Sequence, residues 1–228
     1  MTQDFAHYGV MSRLFEPPGP GFTEDAARIA DALRGSYPEA AAALDRFGAL
    51  LPEDADALAE LYLRTFDIQA ITTLDLGYTL FGEDYKRGAL LAGLANEHKQ
   101  ARNDCGIELG DHLSNVLRLL PLMAEPAVRE ELVSVIVAPA VREMIREFEP
   151  ARIAKKEEIY KKHHKTIIEH AESELRTAYR RPLEALHEVL RKDFSLKVSL
   201  PIEQAGSYER SLETEMGIEG CGPCAPSA

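Results

Sequence analysis

Apolar residues recur three and four positions apart along most of this chain, in stretches that prolines and glycines cut at intervals of roughly ten to twenty residues. No alternating Val/Ile/Thr-rich run of strand length interrupts the pattern, which restricts the fold to packed helices. The composition agrees: tryptophan is absent and aromatics make up 7%, so aliphatic ridges have to do the packing. With 228 residues and 45% hydrophobic content the chain can bury a sizeable core, and one domain is expected. The expectation is an all-α, single-domain helical bundle over 1–192, followed by an extended, mobile tail over 193–228, where periodicity fades into Gly217, Gly220, Gly222, Pro223 and Pro226.

The expected helices start and stop at recognisable signals. The first covers 3–15, buries Phe5, Tyr8, Met11 and Phe15, and ends at Pro17 and Pro18. Thr23 reads as the N-cap of the second, with Glu24 and Asp25 at the positive end of its dipole. Others are expected over 38–51, 54–67, 73–81, 84–103 and 112–123, the last capped by Asp111. Pro126, Pro139, Pro150 and Pro182 each sit where a further helix can begin. The third of these, 151–179, turns Ile153, Tyr160, Ile167, Ala171 and Leu175 inward, and Lys155, Lys156, Lys161, Lys162 and Lys165 form a solvated face.

Charge narrows the partner. Residues 151–197 hold 12 Lys+Arg against 8 Asp+Glu, a net of +4; the rest holds 14 against 30, a net of −16, which gives the overall −12. An acidic body repels a phosphate backbone, so nucleic acid is excluded and a cationic partner is favoured. No run approaches the roughly 18 apolar residues of a membrane span. The N-terminal residues lack the basic and apolar regions of a secretory leader, which points to a cytoplasmic protein.

The search for chemistry yields little. There is no phosphate-binding loop, dinucleotide fingerprint, nucleophile elbow or HExxH, so no enzyme activity is expected. Cys221-Gly222-Pro223-Cys224 has the spacing of a thioredoxin-like redox pair, but no helix can follow it to lower a thiol pKa. Two thiolates also leave a tetrahedral zinc site half built. Cys221 and Cys224 are therefore weak candidates for a metal or redox role.

Three blocks in the middle of the chain carry a resemblance. They are Tyr62 with Thr65-Phe66-Asp67, Tyr78 followed by Gly82-Glu83 and Lys86-Arg87-Gly88, and Glu108-Leu109 followed by Asp111-His112-Leu113. Together they resemble the nitrate reductase delta-subunit family, the NarJ-type molybdoenzyme assembly chaperones, which are related to the TorD-type chaperones. Gly110, Ser114 and Arg118 depart from the family pattern, which often has proline at the first two positions and an acid at the third. The resemblance implies an all-α chaperone that binds the N-terminal, leader-like peptide of an apo-molybdoenzyme catalytic subunit. It would hold that subunit until bis-molybdopterin guanine dinucleotide is inserted, as a monomer or homodimer, keeping no cofactor itself. Phe66, Asp67, Tyr78, Arg87, Asp111 and His112 are the implied peptide-binding residues.

Each of those residues also has a scaffold reading. Asp111 is either a helix cap or a receptor for a basic side chain, and Phe66 is either core or groove. Arg87 pairs either with an acidic loop of its own chain or with the partner, and Gly88 would permit a close helix approach. Two other functions fit the sequence: a thiol or metal protein using Cys221 and Cys224, and a structural subunit that stays in the mature enzyme.

Overall fold

In the computed structural model, which describes residues 5–164 and 173–196, the N-terminal pattern folds as its periodicity dictates. Phe5, Tyr8, Met11 and Phe15 are all buried. They lie on or beside α1 (Ala6–Met11) and a 3-10 turn (Ser12–Phe15). After the prolines come α2 (Phe22–Leu33), α3 (Pro38–Leu50), α4 (Ala55–Phe66), α5 (Leu76–Phe81), α6 (Tyr85–Ala101) and α7 (Leu113–Leu119). The second half holds α8 (Pro126–Leu132), α9 (Ala138–Arg146), α10 (Pro150–His164), α11 (Ser173–Arg176) and α12 (Arg180–Asp193). The chain is thus all-α. Among the described residues there is no strand, and none of the helices is long and apolar enough to cross a membrane.

Central in this arrangement is α12. Leu183, Leu186, Val189 and Leu190 are fully buried, and the helix lies against α3 and α9. Outside it, α2 packs on α3, α5 on α9, and α7 on α1 and its 3-10 turn. An aromatic chain threads the layers. Phe47 lies 6.3 Å from Phe22 and 5.1 Å from Tyr179, and Tyr179 in turn meets Phe66 at 4.9 Å and Tyr62 at 5.8 Å. Tilted and edge-on rings of this kind add stabilisation beyond their buried area.

Several local expectations give way to packing. Helix α2 starts one residue before Thr23, with Gly21 at its N-cap (φ +82°) and no side-chain cap, because burying Phe22 draws that residue into the first turn. Pro139 does not open a separate helix: α8 continues through a π turn (Val133–Val137) into α9. A proline ring crowds the carbonyl four residues back, here Val135, and the wider π turn makes room there. Lys156 does not join a solvated face. It is 3% exposed, 2.6 Å from Glu147, and donates to the Ile71 carbonyl. Helical spacing defines the faces of α10 and leaves open that a buried glutamate waits opposite one of them.

The expected tail boundary also falls inside the body. Asp193 ends α12 and accepts hydrogen bonds from His7 (2.8 Å), Tyr8 (2.9 Å) and Tyr37, and Phe194 stacks on Phe5 at 5.2 Å. Residues 197–228, including Cys221 and Cys224, lie outside the described residues. Burial pushes the Asp193 carboxyl upward, but the His7, Tyr37 and Tyr8 donors outweigh it and hold the group below the ordinary carboxylate range. Its stabilisation is therefore present above about pH 3.9 and is lost as pH falls through the lower folded value. Asp193→Ala should cost about 3 kcal/mol in urea unfolding at pH 7, because it leaves the buried Tyr8 hydroxyl without its acceptor.

Candidate functional site

The segments that precede α5 and α7 meet in a single antiparallel bridge between Asp75 and His112. Leu76 N donates to Asp111 O at 3.0 Å, and Leu113 N donates to Leu74 O at 2.8 Å. This crossing sets the Asp111 side chain against the first turn of α5. Its Oδ2 accepts from Gly77 N and from Arg87 Nε, each at 3.2 Å. Arg87 also gives Nη2 to Asp75 at 2.9 Å, lies 3.9 Å from Glu83, and covers the Tyr78 ring at 5.3 Å. Arg87, Tyr78, Asp111 and His112, drawn from two separate sequence blocks, thus form one knot.

Asp111 does not cap α7, whose N-cap is His112 without a side-chain cap bond. Arg87 draws the carboxylate toward α5 and α6 instead. The side chain is fully buried, and its Oδ1 has no hydrogen-bond partner among the described residues. Space explains the glycine beneath it. A Cβ on Gly77 would lie 2.8 Å from Asp111 Oδ2, 3.0 Å from Arg87 Cγ and 3.2 Å from Leu90 Cδ2.

Burial governs the electrostatics. It raises the Asp75 carboxyl, and the Asp111 charge raises it further against the pull of Arg87. Burial would lower the Arg87 guanidinium, but Asp111 and Asp75 reverse that and raise it. Desolvation pushes the His112 imidazole below its ordinary value despite Glu108, Asp75 and Asp111 nearby. His112 is therefore held neutral, with Nδ1 2.8 Å from Ser114 Oγ.

The loop between α6 and α7 is pinned by polar contacts. His98 Nε2 meets Gly110 O at 2.9 Å, Asn103 Nδ2 donates to Asn115 O at 2.9 Å, and Asn115 Nδ2 donates to Leu109 O at 2.8 Å. So fixed, the loop holds Ile107 at 99% exposure and Leu109 at 52%. Arg118 pairs with Glu16 and with Asn115 Oδ1.

The first sequence block stands apart from the knot. Phe66 is buried in the aromatic chain with Tyr62 and Tyr179, whereas Asp67 is exposed at the C-cap of α4. Ionisation of the Tyr62 hydroxyl is opposed first by burial and then by Glu108, Glu16 and Asp67. Asp67 of the first block and Glu108 of the third are thus both close enough to act on the Tyr62 hydroxyl. Gly88 is exposed, and a Cβ there would meet nothing within 4 Å, so close helix approach is not its role. Gly82 takes positive φ (+59°) where α5 ends, as expected of a helix-terminating glycine, although its ψ of −140° is not left-handed helical.

Sequence reasoning missed Asp75, Gly77 and His98. None of the three carried a local signal, since the expected helix over 73–81 put Asp75 and Gly77 inside an element. Burial pushes the Cys105 thiol up, away from nucleophilic activation. Among the described residues no three His, Cys, Asp or Glu side chains converge on a metal position. No model of a known protein family matches the chain, and no curated protein matches it.

Two outcomes follow from this geometry. Replacing a mid-helix glycine by alanine ordinarily stabilises by about 1 kcal/mol, but Gly77→Ala should destabilise by roughly 1–3 kcal/mol in thermal or urea unfolding, because its methyl strikes the Asp111–Arg87 pair. Stability should also fall between pH 7.5 and pH 5.5. Burial depresses the folded pKa of both His112 and His187, so the unfolded chain binds more protons near pH 6 and their contribution is lost as pH drops below about 6.5. Asp75 has the opposite sign, since its folded value is raised. The His112 share is therefore read as the slope that His112→Asn removes from the urea midpoint plotted against pH.

Proposed function

We propose that this chain is a dedicated assembly chaperone for a molybdoenzyme. It binds the N-terminal, leader-like peptide of the apo catalytic subunit of nitrate reductase or a related respiratory oxidoreductase. It works in the cytoplasm, as a monomer or homodimer, and holds that subunit until bis-molybdopterin guanine dinucleotide has been inserted. The cofactor is cargo of the client, and no residue of this chain is assigned to it. One observation carries the reading: two of the three blocks that resemble the chaperone family meet in one knot of Arg87, Asp75 and Asp111 with His112 beside it.

The surrounding surface suits such a client. Asp67 and Glu108 are exposed acids beside Leu63, Ile68, Ile107 and Leu109, which are 40%, 49%, 99% and 52% exposed. Exposed acidic and apolar groups of this kind match an amphipathic, arginine-bearing peptide: the carboxylates steer it and the apolar groups anchor it. Asp111 is fully buried and is paired with Arg87 in the free chain. Its replacement by asparagine tests the Arg87 pair, and the steering charge is better tested at the exposed acids.

Synthetic N-terminal peptides of candidate catalytic subunits, titrated by fluorescence anisotropy, should bind one of them saturably. Association should slow as salt rises from about 0.1 M to about 1 M and the Debye length falls from about 10 Å to about 3 Å. An Asp67→Asn, Glu108→Gln double variant should associate several-fold more slowly while its stability stays within about 0.5 kcal/mol of the parent. Absence of saturable binding to every peptide, with unchanged molybdenum content in the enzyme after deletion of this protein, would overturn the proposal.

A further inference from the structure

Helix α6 is weakly committed to the body. Of its 17 residues only Leu94 and His98 are buried. Its inner seam is Arg87, Leu90, Leu94 and His98, spaced three and four apart, and it touches α5 and α7. The floor beneath the leucines is glycine: a Cβ on Gly77 would lie 3.2 Å from Leu90, and one on Gly110 3.8 Å from Leu94. The helix is also intrinsically poor. Gly88 and Gly93 sit in its interior with nothing within 4 Å of a Cβ, and each favours the unwound chain about fivefold over alanine with no packing in return. Positive φ flanks it on both sides, +59° at Gly82, two residues before its N-cap Asp84, and +52° at its C-cap Arg102.

The Arg87 end of the seam is a guanidinium seat that Arg87 fills imperfectly. Asp75, Asp111 and the Tyr78 ring surround the group, yet Arg87 reaches only Oδ2 of Asp111. Oδ1 of that fully buried carboxylate has no partner among the described residues. An arginine arriving in fork geometry would engage both oxygens.

We infer that α6 occupies, in the free chain, the seat that a partner helix takes. The partner is an amphipathic peptide with an arginine followed, three and seven residues on, by leucine-like side chains. This rests on the chaperone reading, with the leader-like peptide as that partner. On binding, α6 swings out about Gly82 and Arg102, and the peptide's arginine replaces Arg87 on Asp75 and Asp111. Its apolar side chains replace Leu90 and Leu94 over Gly77 and Gly110.

Hydrogen exchange on the full chain, read by mass spectrometry, tests this with two probes: a capped synthetic peptide copying residues 85–101, and the N-terminal peptide of a catalytic subunit. Amides of 85–101 should exchange at least tenfold faster than those of α7 and α12. A Gly88→Ala, Gly93→Ala variant should slow that exchange, and weaken the copy peptide's binding, on the order of 30-fold. The copy peptide should bind the parent saturably, and a copy with Arg87→Gln at least tenfold more weakly. Slow exchange of 85–101, or no binding of the copy peptide, overturns the inference. Arginine-dependent binding of the copy peptide with no binding of any catalytic-subunit peptide supports the seat and removes the chaperone reading. A catalytic-subunit peptide that binds without deprotecting 85–101 leaves the chaperone reading standing and overturns the exchange.

Discussion

The middle of this molecule is organised by one buried charge. Asp111 has no exposure, and a carboxylate taken out of water costs several kcal/mol unless a cation and hydrogen-bond donors replace the solvent. Arg87 supplies the cation from α6 and Gly77 supplies a backbone donor from α5, so meeting the needs of one side chain sets the positions of α5, α6 and the start of α7. Gly77 is the enabling residue, since any side chain there would occupy the space the ion pair uses. The Asp75–His112 bridge follows from the same crossing, and with it the burial that keeps His112 neutral.

Elsewhere the same principle operates with different donors. Asp193 gathers His7, Tyr8 and Tyr37, which ties α1 and α3 to the end of α12, and Glu147 receives Lys156 and Arg152 from α10. Replacing such groups by well-packed apolar side chains is often neutral or stabilising, so their energy alone does not account for them. Their value here is selection. Faces built from Ala26, Ala40, Ala41, Ala43, Ala140 and Ala185 can slide past one another at little cost, whereas a carboxylate that has to reach two or three donors accepts a single register.

How much of this was legible depended on range. Phe5, Tyr8, Met11 and Phe15 were correctly placed inside because helical spacing is a property of adjacent residues, and the helix spans came close for the same reason. Asp111 illustrates the limit. Local logic offers an aspartate before a helix a capping role, but a partner 24 residues upstream outbids the helix end for its carboxylate. Lys156 repeats the lesson: helical spacing marks it as solvent-facing, and a buried Glu147 before α10 pulls it in. The candidate site was legible only through the resemblance of its blocks, and that signal reached Arg87, Asp111 and His112 while passing over Asp75 and Gly77, which complete the knot.

The distribution of strong and weak contacts then has a consequence for where change is affordable. α12 buries six residues and closes on Asp193, so its loss would dismantle the contacts of α3 and α9 together. By contrast α6 lends the main core one fully buried leucine, carries two glycines with nothing above them, and is flanked on both sides by residues at positive φ. Elements that move on binding come from the low-stability end of a structure, because a helix that supports the core cannot leave it without unfolding the rest. The Asp193 and Glu147 locks, which draw no donor from α6, therefore do more than fix register. By making the body cooperative without help from α6, they permit the one helix that carries Arg87 to remain marginal.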